Sequence, residues 1–461
     1  MMRPIQWAIA SNSTKSEDAN GSRLVNLYAE ALPPDSKTQV ALYGTPGTKV
    51  FSLLPTPQVK ALHTLNGVLY AITAKRLYSI DMFGSATEIG VVSMSGMVSV
   101  ATNGIDLVFV DGNSGYAYSP SKGLRVLSGD GWYPANTVTY QDGYFIFNRA
   151  GTGQFFLSDL LSTDFDPLKY ATAEGSPDDA VAVLSDHREL WVFGTKTIEI
   201  WYNSGNADFP FERMQGAFIE RGCQSANSIA KIDNSVFWLG DNGVVYRATG
   251  YQPQRISTHG IENRIGESNQ DAFAYTYTDD GHVFYVLTLP NDKLTLVFDV
   301  STGLWHERSH YQWGRHHASC YTFAYGQHFV GDFQNGNVYT LDKHYYKDNT
   351  DPIKRIAISP PIHSSRNRLV MNRFELDMQS GIGLVTGQGD NPQAMLQWSD
   401  DSGKTWSNEH WSAIGRTGKY LTRVAWNRLG MFRQRQLKVQ ITDPVPVSIL
   451  GAYADIENGR S

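Results

Sequence analysis

The sequence predicts an all-β protein: a β-propeller, with seven blades favoured and six also allowed, followed by a C-terminal antiparallel β-sandwich-like domain. Three observations predict it. Apolar and aromatic runs recur with Asn-Gly- or Asp-Gly-type turns at a spacing of about 37 to 47 residues, the range of propeller blades. Forty-two glycines and twenty-four tyrosines among 461 residues suit many short strands joined by tight turns. Beyond about residue 350 the pattern changes to short runs of strict alternation, as in a half-buried antiparallel sheet. No stretch predicts a helix of more than a turn or two.

Residues 1–43 have no helical period and contain polar, turn-prone segments, so they read as an extended arm lying on something larger, with a short strand at 23–28. The propeller is expected over 44–345. Its first unit turns at Asn66-Gly67, the second at Asn103-Gly104 and the third at Asp142-Gly143. The fourth carries the run ELWVFGTKTIEIWYNS (189–204) after a turn at Asp186-His187-Arg188. Later units turn at Asp233-Asn234, Asp280-Gly281 and Tyr325-Gly326. Such residues supply the positive φ that two-residue hairpin turns require.

An outer, fourth strand follows most units, at 86–89, 124–127, 211–214, 254–257 and 305–308. The last unit lacks one, whereas 48–54 has no partner of its own. That stretch is therefore expected to complete the last blade and close the ring. A polar linker, KHYYKDNTD (343–351), leads into the C-terminal domain at 346–461, with strands expected at 374–378, 394–398, 423–426 and 436–441. The aromatic residues of the fourth unit, Trp191, Phe193, Trp201 and Tyr202, are expected to pack between blades.

Composition excludes several classes. An apolar fraction of 41% with 18% charged residues describes a folded protein. No apolar run approaches the roughly 20 residues of a membrane-spanning helix, and the first residues lack the apolar core of an export signal. Two cysteines, Cys223 and Cys320, make no disulfide framework and read as buried small hydrophobes of a protein made in a reducing compartment. The net charge of −6 is uneven: 1–350 carries −10 and 351–461 carries +4. An acidic body argues against tight general DNA binding through its surface.

His306-Glu307-Arg308-Ser309-His310 matches H-E-x-x-H, but zinc proteases need both imidazoles one turn apart on a helix. On a strand, the two would lie about 13 Å apart. His316 and His317 are expected as surface or turn histidines pointing to opposite faces. Ser399-Asp400-Asp401-Ser402-Gly403-Lys404-Thr405-Trp406 fits the Asp-box pattern of glycan-processing propellers, a structural motif in which Ser399 and Asp401 bond turn backbone and Trp406 packs beneath. Paired carboxylates suited to glycoside hydrolysis do not stand out. Basic residues gather at Arg366, Arg368, Arg373, Arg423, Arg428, Arg433 and Arg435, among Trp398, Trp406, Trp411 and Trp426; a subunit interface or plain solvation accounts for them as well as nucleic acid does. No P-loop, nucleophile elbow, dinucleotide fingerprint or zinc-type cysteine pairing is present. Catalytic, cofactor-binding and metal-ligating residues are therefore assigned as none, with no cofactor.

The run ELWVFGTKTIEIWYNSG, continuing through Phe209-Pro210-Phe211-Glu212-Arg213, Gly222-Cys223, Val236-Phe237-Trp238-Leu239-Gly240 and Gln254-Arg255-Ile256-Ser257, resembles the packaged-DNA stabilisation proteins of short-tailed bacteriophages. Leu42-Tyr43-Gly44-Thr45-Pro46-Gly47 is similar to that family's segment before its first blade, and Phe298-Asp299 through Trp305 to a later hairpin. The resemblance covers most of 20–450. It implies a non-enzymatic tail hub or nozzle subunit of the virion, assembled in the host bacterial cytoplasm. It further implies a homo-hexamer below the portal and adaptor rings that extends the DNA channel and helps retain and release the genome. Implied partners are tailspike or tail-fibre proteins, a tail needle or plug, and non-specific contact with double-stranded DNA, without membrane insertion. The alternative is a glycan-binding or glycan-cleaving propeller, such as a receptor-binding phage protein or a sialidase-like hydrolase.

Overall fold

A computed structural model of the chain describes residues 2–459 other than 17, 174, 267, 268 and 366. The two-residue turns form as their sequences dictate, except at Asn103-Gly104, which opens a four-residue loop (103–106) in which only Gly104 takes positive φ. Asn66 and Gly67 take φ of 51° and 76°, Asp142 and Gly143 50° and 94°, and Asp280 and Gly281 48° and 82°. Even the glycine-free pairs His187-Arg188 (48° and 64°) and Asp233-Asn234 (52° and 55°) adopt this left-handed geometry. Its twist matches that of the flanking strands.

Each turn joins strands of an antiparallel, four-stranded sheet. Six such blades are built from consecutive strands: 59–91, 99–126, 138–172, 180–219, 230–255 and 273–307. The sheet that closes the ring is composite. Ala318–Ala324, Gln327–Asp332 and Asn337–Asp342 are completed by Gly47–Leu53 from the far end of the chain, with Thr340 opposite Lys49 and Leu341 opposite Thr48. The unpartnered strand of the sequence thus closes the propeller.

Within a blade, burial follows position. The second strands Leu107–Val110 and Ser235–Leu239 are buried at every residue, because neighbouring blades cover both faces. Outer strands such as Ala86–Val91 are mostly exposed. The strand Phe165–Thr172 completes the third blade where the sequence signalled none. It carries Pro167, tolerated only because this is a sheet edge, and no residue of it is fully buried.

Large side chains fill the gaps between blades. Trp191 and Phe193 share a core with Trp238, and Trp201 packs edge-on against Phe155 at 5.0 Å. Tyr202 departs from the expectation: it faces solvent and donates to the Glu212 carboxylate at 3.1 Å, because alternation turns it away from its neighbours.

Around the inner strands, hydroxyls and one lysine stitch the second through sixth blades in succession and the closing sheet to the first. The amide of Val138 donates to Ser99 Oγ (3.1 Å), and those of Val183 and Ser185 to Thr137 and Thr139 Oγ1 (2.9 and 3.0 Å). Lys231 Nζ donates to the Ser185 carbonyl (2.8 Å), Thr276 Oγ1 to the Lys231 carbonyl (2.9 Å) and Ser319 Oγ to the Val59 carbonyl (2.6 Å).

The C-terminal strands form two sheets packed face to face. One runs Leu27–Ala31, Val40–Gly44, Ser448–Asn458, Leu369–Met378, Val424–Asn427. The other runs Gly21–Val25, Arg355–Ile358, Gln434–Ile441, Gln393–Ser399, His410–Ala413. Leu24, Leu42, Phe374, Leu396, Trp426 and Val439 meet between them. The N-terminal stretch therefore does more than lie on the body: it supplies strands to both sheets, and Asn26, with φ of 54°, breaks the expected 23–28 strand so that its halves part.

Gly21–Val25 also lies beside Leu304–Glu307, the outer strand of the sixth blade, with Val25 opposite Glu307. One hydrogen-bonded sheet consequently runs from the propeller through this strand into the sandwich.

Both cysteines are free, and burial pushes each thiol up to about 12. Alkylation by iodoacetamide at pH 8 is expected to modify neither until denaturant is added, as read by intact mass. Deleting 44–56 is expected to lower the melting temperature of the propeller by roughly 10 °C or more in one cooperative transition. An unchanged melt would show that the closing strand is dispensable.

Candidate functional site at the junction of propeller and sandwich

The H-E-x-x-H segment lies at this junction, and its residues part company. Leu304–Glu307 is a strand, so successive side chains point to opposite faces. His306 is buried against Tyr28 and Phe284, and burial pushes its imidazole down to about 3. Glu307 points the other way, into the seam between the sixth blade and the N-terminal strand.

Glu307 is 3% exposed and collects donors from three parts of the chain. Arg23 holds it bidentately, Nε at 3.0 Å and Nη2 at 2.7 Å; Ser11 Oγ donates at 3.1 Å; Arg264 closes on the same carboxylate. Burial disfavours the charge, yet Arg23 and Arg264 outweigh it and hold the carboxyl below its usual range. Asn26 completes the seam: Nδ2 donates to the Ser309 and Lys354 carbonyls (2.8 and 2.9 Å), and Oδ1 accepts from the Ser309 amide (2.9 Å).

His316 and His317 correct the expectation of surface or opposed histidines. They are 1% and 4% exposed, and their rings stack at 4.6 Å. The reason is that they precede the strand Ala318–Ala324 in irregular backbone, where alternation does not apply. His310, also buried, approaches His317 with ring centroids 5.4 Å apart, and both converge with Asp348. Sequence reasoning missed this group because Asp348 lies about thirty residues downstream in a segment that reads as a polar linker.

The Asp-box hairpin forms as its residues imply. Ser399 Oγ donates to Asp401 Oδ1 (2.7 Å), which also accepts from the Thr405 amide (2.8 Å), while the Gly403 amide donates to Ser399 Oγ (2.8 Å). The Thr405 hydroxyl and amide bring Asp401 down to about 2. Trp406 lies under Lys438, whose Nζ is 4.3 Å from the ring centre. All of these bonds serve the turn, so the hairpin is scaffold.

Of the basic residues, Arg435 is buried, grips Asp400 with Nε and Nη2 at 2.7 Å each, and stacks over Phe432. Arg373 pairs with Glu375 at 2.8 Å. Arg368, Arg423, Arg428 and Arg433 are exposed, and Arg366 lies outside the described residues. Trp398 and Trp426 pack inward, the latter donating to the His410 carbonyl at 2.7 Å, whereas Trp411 is exposed. The inner face of the propeller borders a cavity of about 500 Å³, lined chiefly by small, hydroxyl and apolar side chains with His63 and Lys231. Among the described residues, no helix is long and apolar enough to cross a membrane.

A propeller locked through a shared sheet to a sandwich, with its buried charges spent on structure, defines a class of rigid all-β scaffold proteins. Residues 8–346 match the family described as Bacteriophage P22 Gp10, beta-propeller, and residues 354–457 match that described as Bacteriophage P22 Gp10, beta-sandwich. The chain belongs to this family of packaged-DNA stabilising phage tail proteins, structural components of the virion. No curated protein matches it. Solved structures that resemble it include the computationally designed Ika8 protein, at 16% identity over 70% of this chain and 100% of that one, with a TM-score of 0.39. The WD40 repeats of RRP9 align at 10% identity over 65% and 99%, with a TM-score of 0.42. BamB from Moraxella catarrhalis aligns at 10% over 74% and 97%, with a TM-score of 0.41.

Glu307→Gln is expected to destabilise the protein by about 2–4 kcal/mol in guanidinium unfolding, below the fully buried range because Arg23 stays partly in water. A carboxyl held below its unfolded value contributes stability that is present above that value and lost as pH falls through the folded one. Wild-type stability should therefore fall below about pH 4, and the variant should lose part of that dependence.

Proposed function

We propose that this chain is a hub or nozzle subunit of a short-tailed phage, forming a homo-hexameric ring below the portal and adaptor rings. In this reading it extends the DNA channel, helps keep the packaged genome in the capsid, and offers attachment to tailspikes or fibres and to a needle or plug. The observation that carries it is the family match across both the propeller and the sandwich. Its role is mechanical, without turnover of a substrate, and its assembly takes place in the host cytoplasm.

Two further features support the reading. The 1–350 portion, at −10, would present to DNA a wall that repels phosphate and lets the duplex slide. Large apolar side chains stand exposed at Phe83 on the first blade, at Leu161 and Leu168 on the third, and at Val385, Tyr420 and Leu421 on the sandwich. Exposed apolar surface of this kind suits burial against neighbouring subunits.

Mixing the purified chain with adaptor-bearing, tail-less capsids is expected to add a sixfold density below the adaptor in negative stain and to slow genome leakage. Failure to bind such capsids, together with measurable binding or hydrolysis of host polysaccharide by a monomer or trimer, would overturn the hub in favour of a glycan-directed propeller.

A further inference from the structure

We propose that the buried residues His310, His317 and Asp348, with the partly exposed Asp351, form a binding site for a divalent transition-metal ion of the zinc type. His310 and His317 lie on the connection between the sixth blade and the closing sheet, and Asp348 lies on the segment that leaves the propeller. One ligand atom from each of these three buried residues falls within 4.8 Å of the others. Asp351 adds a fourth donor, its Oδ2 being 3.3 Å from His310 Nε2.

The carboxylates are placed in a way that calls for a cation. Asp348 and Asp351 are register partners across a two-residue turn, in which Asn349 takes φ of 56°. Directly opposed residues of an antiparallel pair share a face, and like charges so placed destabilise it. Arg308 and Arg355 lie near the buried Asp348, yet neither forms an ion pair with it among the described residues. They donate instead to the Pro46 and Asp443 carbonyls, at 2.8 and 3.2 Å. Among the described residues, the one side-chain hydrogen bond to Asp348 comes from Thr48 Oγ1 at 3.2 Å, on the closing strand.

The imidazoles are suited as ligands. Among the described residues, His317 Nε2 is buried with no hydrogen-bond partner, an arrangement that costs stability unless something occupies it. Tetrahedral zinc with bonds of about 2.0–2.1 Å sets neighbouring ligand atoms about 3.4 Å apart, so a contraction on the order of 1 Å closes the group. Two nitrogens and two oxygens fit zinc and its neighbours, whereas calcium and magnesium favour all-oxygen sets.

Two features oppose binding and set its strength. The Gln312 amide donates to His310 Nδ1 at 3.3 Å, and coordination through Nε2 would place a proton on Nδ1 and break that bond. The nearby guanidiniums repel a second cation. The site would fasten together the exit of the sixth blade, the closing sheet and the segment entering the sandwich.

The full chain, stripped with EDTA, reloaded with Zn²⁺ and desalted, is expected to retain one zinc per chain by mass spectrometry and to melt higher than the stripped form. Reloading with Co²⁺ should give the intense visible bands of a tetrahedral site. Asp348→Asn should weaken binding at least about tenfold, as should Asp351→Asn, whose side chain is 40% exposed and whose replacement leaves the core intact. Retention of no zinc by folded wild type overturns the proposal, as does wild-type affinity in both asparagine variants. Loading of Ca²⁺ in preference to Zn²⁺ overturns the assignment of the metal.

Discussion

The structure depends on one carboxylate. Glu307 sits in the seam between the sixth blade and Gly21–Val25 and is gripped by Arg23 and Arg264. An anion so buried is tolerable only with its cations in place, so the pair fixes where the N-terminal strand must lie. That strand in turn pairs with Arg355–Ile358, which pairs with Gln434–Ile441. Propeller and sandwich are thus not two bodies on a tether, because a chain of backbone hydrogen bonds runs from one into the other. Such a joint resists hinging without needing a large apolar interface.

The propeller was legible wherever turn chemistry was strong. Asn66-Gly67, Asp142-Gly143 and Asp280-Gly281 mark hairpins by the φ they require, and the apolar runs between them are the doubly covered middle strands. The closing strand was legible by elimination, since a fourth strand was missing at one end of the array and surplus at the other. Phe165–Thr172 was not, because an exposed edge strand with a proline has neither alternation nor burial to announce it. The sandwich was read in part. The four strands expected there alternate, but Ser448–Asn458 includes Gly451 and a polar end, and two of its three partner strands come from the N-terminus, which no local pattern reveals.

The junction was the least legible region. Its members, Ser11, Arg23, Arg264 and Glu307, are scattered over almost three hundred residues and look like ordinary surface residues one at a time. Four of the buried histidines show the same limit from the other side. His306, His310, His316 and His317 carry polar side chains in a segment rich in charge, and only the closure of the ring around them places them inside. Pattern reports periodicity; it does not report which segments a distant strand will cover.

Two closures in this fold join opposite ends of the chain. Gly47–Leu53 waits for Asn337–Asp342, and Val40–Gly44 waits for Ser448–Asn458. Emerging from the ribosome, Gly47–Leu53 must therefore wait for residues 337–342, and Val40–Gly44, paired on one edge with Leu27–Ala31, must wait for residues 448–449 to cover the other. Long-range pairing of this kind is slow and leaves strand edges open meanwhile. A chain that stops before residue 337 keeps both edges open, and one that stops before residue 448 keeps the second, so truncation at either point leaves an exposed strand edge.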